Sequence, residues 1–119
     1  MRAYLDHNAT SPLLDAVREA MTPWLGVPAN PASAHREGQR AAAALEQARV
    51  YVAALVGGVP EGVVFTSGAT EADNLAVLGV AEASASRGRH VVTVATEHKA
   101  VLDPVSHLEE RGWRVTRLV

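Results

Sequence analysis

The 119 residues carry 48% hydrophobic and 20% charged side chains and a formal net charge of −2, the composition of one small globular domain. With no basic excess and only 4% aromatic residues, the chain has neither the charge nor the stacking surfaces of a nucleic-acid binder, and no anionic membrane surface is expected as a partner. Cysteine is absent, which removes disulfides and thiolate metal ligands, and no metal site is expected.

The opening "MRAYLDHNATSP" has no apolar core of a secretory signal, and no run is long enough to span a bilayer, so a cytoplasmic location is expected. Residues 4–12 read as an extended, turn-rich segment. A weak helix follows over 13–25, with Leu14, Val17 and Met21 at helical spacing. "GVPANPAS" (26–33) is a loop by its Pro, Gly and Asn content. Helical signals resume near Ser33, expected as the cap, and run to Val56. Leu45, Ala48, Val52 and Leu55 fall on one face at steps of three and four. Gly57-Gly58 should end that helix with a left-handed residue.

The rhythm then changes. "VVFT" (63–66) reads as a short buried strand, 71–86 as a helix stopped near Gly88, and "HVVTVAT" (90–96) as a second strand. A helix over 101–111 follows, with Pro104 in its first turn and Gly112 as its stop. "WRVTRLV" (113–119) is a third strand. This alternation predicts an α/β fold with parallel strands and flanking helices.

Two turns carry candidate chemistry. In "FTSGATEADN" (65–74) a strand runs through small residues into a helix. A helix N-terminus offers unpaired N–H groups and a partial positive charge, so the turn can cradle a phosphate. Gly68 clears the approach, Ala69 adds only a methyl, Thr70 offers its N–H and hydroxyl, and Ser67 offers a second hydroxyl. The alternative is a plain connection, with Thr70 and Asp73 as a variant capping box and Glu71 opposing any anion. In "ATEHKAVL" (95–102) His98 follows the end of the next strand, where open α/β sheets bind ligands. Its imidazole could stack on a flat ligand or move protons, or it could be a solvated turn residue. Lys99, the chain's lone lysine, reads as a surface residue. His7, Asn8, Asn30 and His35 sit in turns or at a helix start and read singly as structural. His90 and His107 read as strand-edge and helix-surface residues with no evident partner.

Taken in order and spacing, "YLDHNATSP", "NPASAHREG", "VVFTSGATEADNLA" and "TEHKAVLDP" resemble the cysteine desulfurases, pyridoxal-phosphate enzymes of the class V aminotransferase group with fold type I. The resemblance covers essentially the whole chain. It implies removal of sulfur from L-cysteine, giving L-alanine and an enzyme persulfide for iron–sulfur cluster or thio-cofactor assembly. It also implies pyridoxal 5'-phosphate as cofactor, a sulfur-acceptor or scaffold protein as partner, and a homodimer. Ala69 and Thr70 match the residues that bind the cofactor phosphate. His98 matches the histidine that stacks on the pyridine ring and is implicated in proton transfer.

The family's Schiff-base lysine, its persulfide cysteine, the Asp at the pyridine nitrogen and the Arg for the substrate carboxylate have no counterpart in these residues. The resemblance therefore implies an incomplete N-terminal part of the large domain: an extended segment and short helix over 1–32, then the first part of the cofactor domain over 33–119. Alone it is expected to be inactive, with residues 63–66 lacking a neighbouring strand. A selenocysteine lyase or other aminotransferase-like class V enzyme, or a non-catalytic truncated module, are the competing readings.

Overall fold

The structure, a computed structural model, describes residues 3–119. Two compact units divide it, Met1–Val63 and Val64–Val119.

In the first unit, helix α1 spans Asp15–Met21 and runs into a 3-10 turn, Thr22–Trp24. The α-helix stops there because Pro23 cannot donate to its ladder. The alanine-rich segment then forms the long helix α2, Arg36–Val56, as alanine's high helix propensity dictates. Ser33 is not its cap. The cap is His35, whose Nδ1 accepts from the Gly38 N–H at 3.2 Å, while the Ser33 N–H is spent on the Asn30 carbonyl at 2.9 Å. The 30–33 loop lies so close to α2 that a Cβ on Gly38 would sit 2.7 Å from the Asn30 carbonyl oxygen and 2.8 Å from Ser33 Cβ. Arg40 covers the Trp24 ring at 5.1 Å, a cation–π contact.

Helix α2 ends as its glycines require. Gly57 takes φ 67°, its N–H bonds the Ala54 carbonyl, and the Gly58 N–H bonds that of Ala53, which is a Schellman motif. Burial departs from the helical pattern. Gly38, Ala41 and Ala53 are the buried positions, whereas Leu45, Val52 and Leu55, on the expected apolar face, are exposed.

In the second unit, α3 spans Ala69–Ser84, β1 His90–Val94, α4 Lys99–Glu110 and β2 Arg114–Leu118. The strands pair in parallel, His90 opposite Arg114 through Val94 opposite Leu118, with α4 as the crossover. α3 packs on α4, and α4 on β2. The core is Ala81, Ala100, Val105 and Leu108, the last two only 1% exposed, with Pro104 beside them. α4 ends in a second Schellman motif at Gly112, φ 84°, with the Trp113 N–H on the Leu108 carbonyl at 3.0 Å. Arg117 forks onto both Glu109 carboxylate oxygens at 3.2 and 2.7 Å, tying β2 to α4.

Three expectations are corrected here. Residues 63–66 form no strand: Val63 is extended, with φ −88° and ψ 124°, but a strand exists only through a ladder partner, and the described sheet is β1–β2 alone. α3 starts at Ala69 rather than Glu71 and stops at Ser84, four residues before Gly88. α4 starts at Lys99, so Pro104 lies in the second helical turn rather than the first. The alternation of strand and helix holds over residues 69–118, and within the strands Val91, Thr93 and Val115 are half-buried while Val92, Val94 and Leu118 are exposed on the other face.

Candidate functional site

The α3 turn begins with Gly68, whose extended backbone (φ 163°) caps the helix without a side-chain hydrogen bond. The first helical bond runs from the Ala72 N–H to the Gly68 carbonyl. The N–H groups of Ala69, Thr70 and Glu71 therefore precede the ladder and point out of the helix N-terminus. A Cβ on Gly68 would meet nothing within 4 Å, so the approach to these donors is open. Ala69 and Thr70 are both exposed.

The turn is stiffened from within. The Thr66 hydroxyl donates to the Gly68 carbonyl at 3.2 Å. The Ser67 N–H and hydroxyl both donate to Glu71 Oε2, at 2.7 and 2.6 Å. The Ser67 hydroxyl proton, offered by the sequence as a second phosphate donor, is here given to Glu71. Thr70 and Asp73 form no capping box, because the reach-back is made by Glu71. The hydroxyl bond from Ser67, and then its N–H bond, hold the Glu71 carboxyl below its ordinary range. Its negative charge lies in the first turn, where the helix dipole favours it and where it opposes an incoming anion.

His98 is the N-cap of α4, and its Nδ1 accepts from the Ala100 N–H at 3.1 Å. That bond places the proton of the neutral ring on Nε2. His98 is exposed. Lys99 is exposed next to it.

One residue joins the two turns. Asn74, half-buried on α3, donates through Nδ2 to the Thr70 carbonyl at 2.9 Å and to the Ala100 carbonyl at 3.4 Å. The phosphate-type turn and the His98 cap are therefore linked through a single side-chain amide. Asn74 carries no role in the sequence analysis, although it lies within "FTSGATEADN". The available signal was a poor helix former four residues after Thr70 in an otherwise alanine- and leucine-rich helix.

The remaining candidates serve local structure. Asn30 Oδ1 accepts from the Ala32 N–H at 2.9 Å, an Asx turn. His7 Nδ1 lies 3.3 Å from the Ser11 hydroxyl, with the Tyr4 ring edge-on at 5.1 Å. His90 does have partners: Arg114 Nη2 reaches its Nδ1 and the Thr116 hydroxyl its Nε2, each at 2.8 Å. Among the described residues no cluster of His, Cys, Asp or Glu could hold a metal ion.

The profile of the class-V aminotransferases matches residues 3–119. The chain belongs to that family. Its relatives include the cysteine desulfurase IscS of Neisseria meningitidis serogroup C, 50% identical over 117 residues, and that of Pectobacterium carotovorum, 50% identical over 119 residues. Each match covers 97% of this chain and 29% or 30% of the relative, so the chain spans under a third of the length of these proteins. Among solved structures, a NifS-like protein aligns with TM-score 0.87 at 39% identity, over 99% of this chain and 33% of its own. DndA from Streptomyces lividans aligns with TM-score 0.79 at 42% identity, over 98% and 33%. The fold is accordingly that of a portion of a fold type I pyridoxal-phosphate enzyme.

The residues of this class-V chain suit such a cofactor's phosphate. The donors at the start of α3 are open, the glycine ahead of them leaves room, and Thr70 adds a hydroxyl.

Proposed function

We propose that this chain is the N-terminal portion of a pyridoxal-phosphate-dependent cysteine desulfurase. The reading is carried by one arrangement: an open helix N-terminus at Ala69–Thr70, linked through Asn74 to a helix cap that presents the His98 ring. Identity to IscS desulfurases across 97% of the chain supports it, as does similarity, at 40% identity and TM-score 0.85, to SspA, which was solved in complex with cysteine.

On this reading the Ala69 and Thr70 N–H groups and the Thr70 hydroxyl hold the cofactor phosphate, as helix N-termini hold anions. The His98 ring would hold the cofactor ring, with Nδ1 fixed by the Ala100 N–H and Nε2 left to give or take a proton. Bound pyridoxal phosphate supplies an electron sink for charge that develops on the amino acid. Glu71 holds Ser67 and keeps the turn rigid. A persulfide needs a thiol, and the 119 residues contain none; both that thiol and the cofactor-linking lysine then belong to residues outside these. The same reading carries L-cysteine as substrate, a sulfur-accepting protein, service to iron–sulfur clusters or thio-cofactors, a homodimer and a cytoplasmic location.

The test uses the protein encoded by the complete reading frame around these codons. Supplied with pyridoxal phosphate and L-cysteine, it should release L-alanine, and Thr70→Ala should weaken cofactor binding. Cofactor binding without alanine from cysteine would move the activity to another class-V reaction. A frame that closes at codon 119 would remove the enzyme reading.

A further inference from the structure

Helix α4 carries Pro104 at its sixth position. Proline has no N–H, so the carbonyl four residues earlier loses its helical donor. That carbonyl belongs to Ala100, which is 5% exposed, and a buried carbonyl without a donor is destabilising. The Asn74 amide of α3 stands 3.4 Å from it. The same nitrogen bonds the Thr70 carbonyl at 2.9 Å, and its two hydrogens can serve both acceptors. Ala100 is also held at its N–H by His98 Nδ1. A continuous path therefore runs from the Thr70 carbonyl through the Asn74 amide to Ala100 and on to the His98 ring. The proline on one helix creates the vacancy in the ladder that the asparagine on the other fills.

We propose that Asn74 is a positioning residue for the cofactor site, a proposal that rests on the pyridoxal-phosphate reading above. By bonding both carbonyls it sets the separation between the phosphate turn at Ala69–Thr70 and the His98 ring. A ligand anchored by its phosphate at one turn and by its ring at the other depends on that separation, because small displacements of a positioned ring are costly. A free anion touches only the first turn and is indifferent to it. This difference separates positioning from general support of α3.

The experiment compares Asn74→Leu and Asn74→Asp, each alone and combined with His98→Ala, in the protein from the complete reading frame. Both replacements are close to asparagine in size and remove the donors; the two anion affinities are compared in the uncharged leucine variant, while the aspartate, whose charge opposes any anion, is read through Ala100 exchange should the leucine variant fail to fold. Pyridoxal phosphate affinity is measured by absorbance titration, inorganic phosphate affinity by competition, and Ala100 N–H exchange by NMR without cofactor. We expect pyridoxal phosphate to bind about tenfold more weakly, as for loss of a hydrogen bond, with phosphate affinity changed less than about twofold. The penalty should largely vanish in the His98→Ala background, since contacting groups couple, and Ala100 exchange should quicken. Equal losses for both ligands, a full penalty retained without His98, or unchanged Ala100 exchange would overturn the assignment. Failure of the unaltered protein to bind pyridoxal phosphate would instead sink the cofactor reading, and Asn74's role with it.

Discussion

Glu71 grips Ser67 twice, its Oε2 accepting the Ser67 hydroxyl at 2.6 Å and the Ser67 N–H at 2.7 Å. These bonds favour the ionised carboxylate and hold it below the ordinary carboxyl value of 4.5. A lowered folded-state value means stability that is complete above that ordinary value and is lost as pH falls through the lowered one. Acidification below about pH 4.5 should therefore reduce the thermal midpoint, and Glu71→Gln should flatten that part of the profile. Parallel midpoint curves for the two proteins would show that the grip contributes nothing.

The same pair ranks the phosphate donors. Since Glu71 already engages the Ser67 hydroxyl, Ser67→Ala should cost less than about 0.5 kcal/mol of pyridoxal phosphate affinity. Thr70→Ala should cost about 1–2 kcal/mol, as for one hydrogen bond to a charged group. Calorimetric titration of both variants decides it; a larger loss for Ser67→Ala would mean that the anion displaces Glu71.

His98 does two things that can be separated. Its Nδ1 caps α4 through the Ala100 N–H, and on the proposed reading its ring would contact the cofactor. His98→Asn keeps a capping oxygen, which helix N-termini favour, so unfolding free energy should move by less than about 0.5 kcal/mol. Turnover should fall, and more than substrate or cofactor binding if the ring carries a proton. Nitrogen NMR of the unaltered protein at neutral pH should report the Nε2–H tautomer; a dominant Nδ1–H form would contradict the cap.

Gly38 is fixed by crowding. A methyl there would meet the Asn30 carbonyl at 2.7 Å and Ser33 Cβ at 2.8 Å. Gly38→Ala gains helix propensity but must push the 30–33 loop away from α2. We expect net destabilisation of about 1–3 kcal/mol, the usual range for overpacking, visible in urea unfolding. A stabilised variant would mean the loop yields without cost.

Local rules made much of this legible in the sequence. Gly57 and Gly112 stop their helices because only a left-handed residue closes a Schellman motif there. The parallel pair around α4 follows from alternation of apolar runs and helices. The turn at Ala69–Thr70 and the place of His98 beyond a strand end are readable from chain order, whereas its capping of α4 is not, because the sequence puts the helix start at Val101 and the structure puts it at Lys99. Other features depend on partners that a linear reading cannot supply. Val63–Thr66 has strand composition without a ladder partner. The Leu45, Val52 and Leu55 face has helical spacing without burial. Asn74 gains its meaning only when Pro104, thirty residues later in the chain, leaves Ala100 in want of a donor.

That dependence bears on the order in which the second unit assembles. A helix interrupted by proline is a poor autonomous folder, since nucleation is already unfavourable and one rung of its ladder is missing. The missing rung arrives with α3, across which Ala81 and Val105 are buried. α4 therefore gains its full complement of bonds only in the act of docking, so the two helices should form and melt as one cooperative unit, with neither serving as a preformed template for the other.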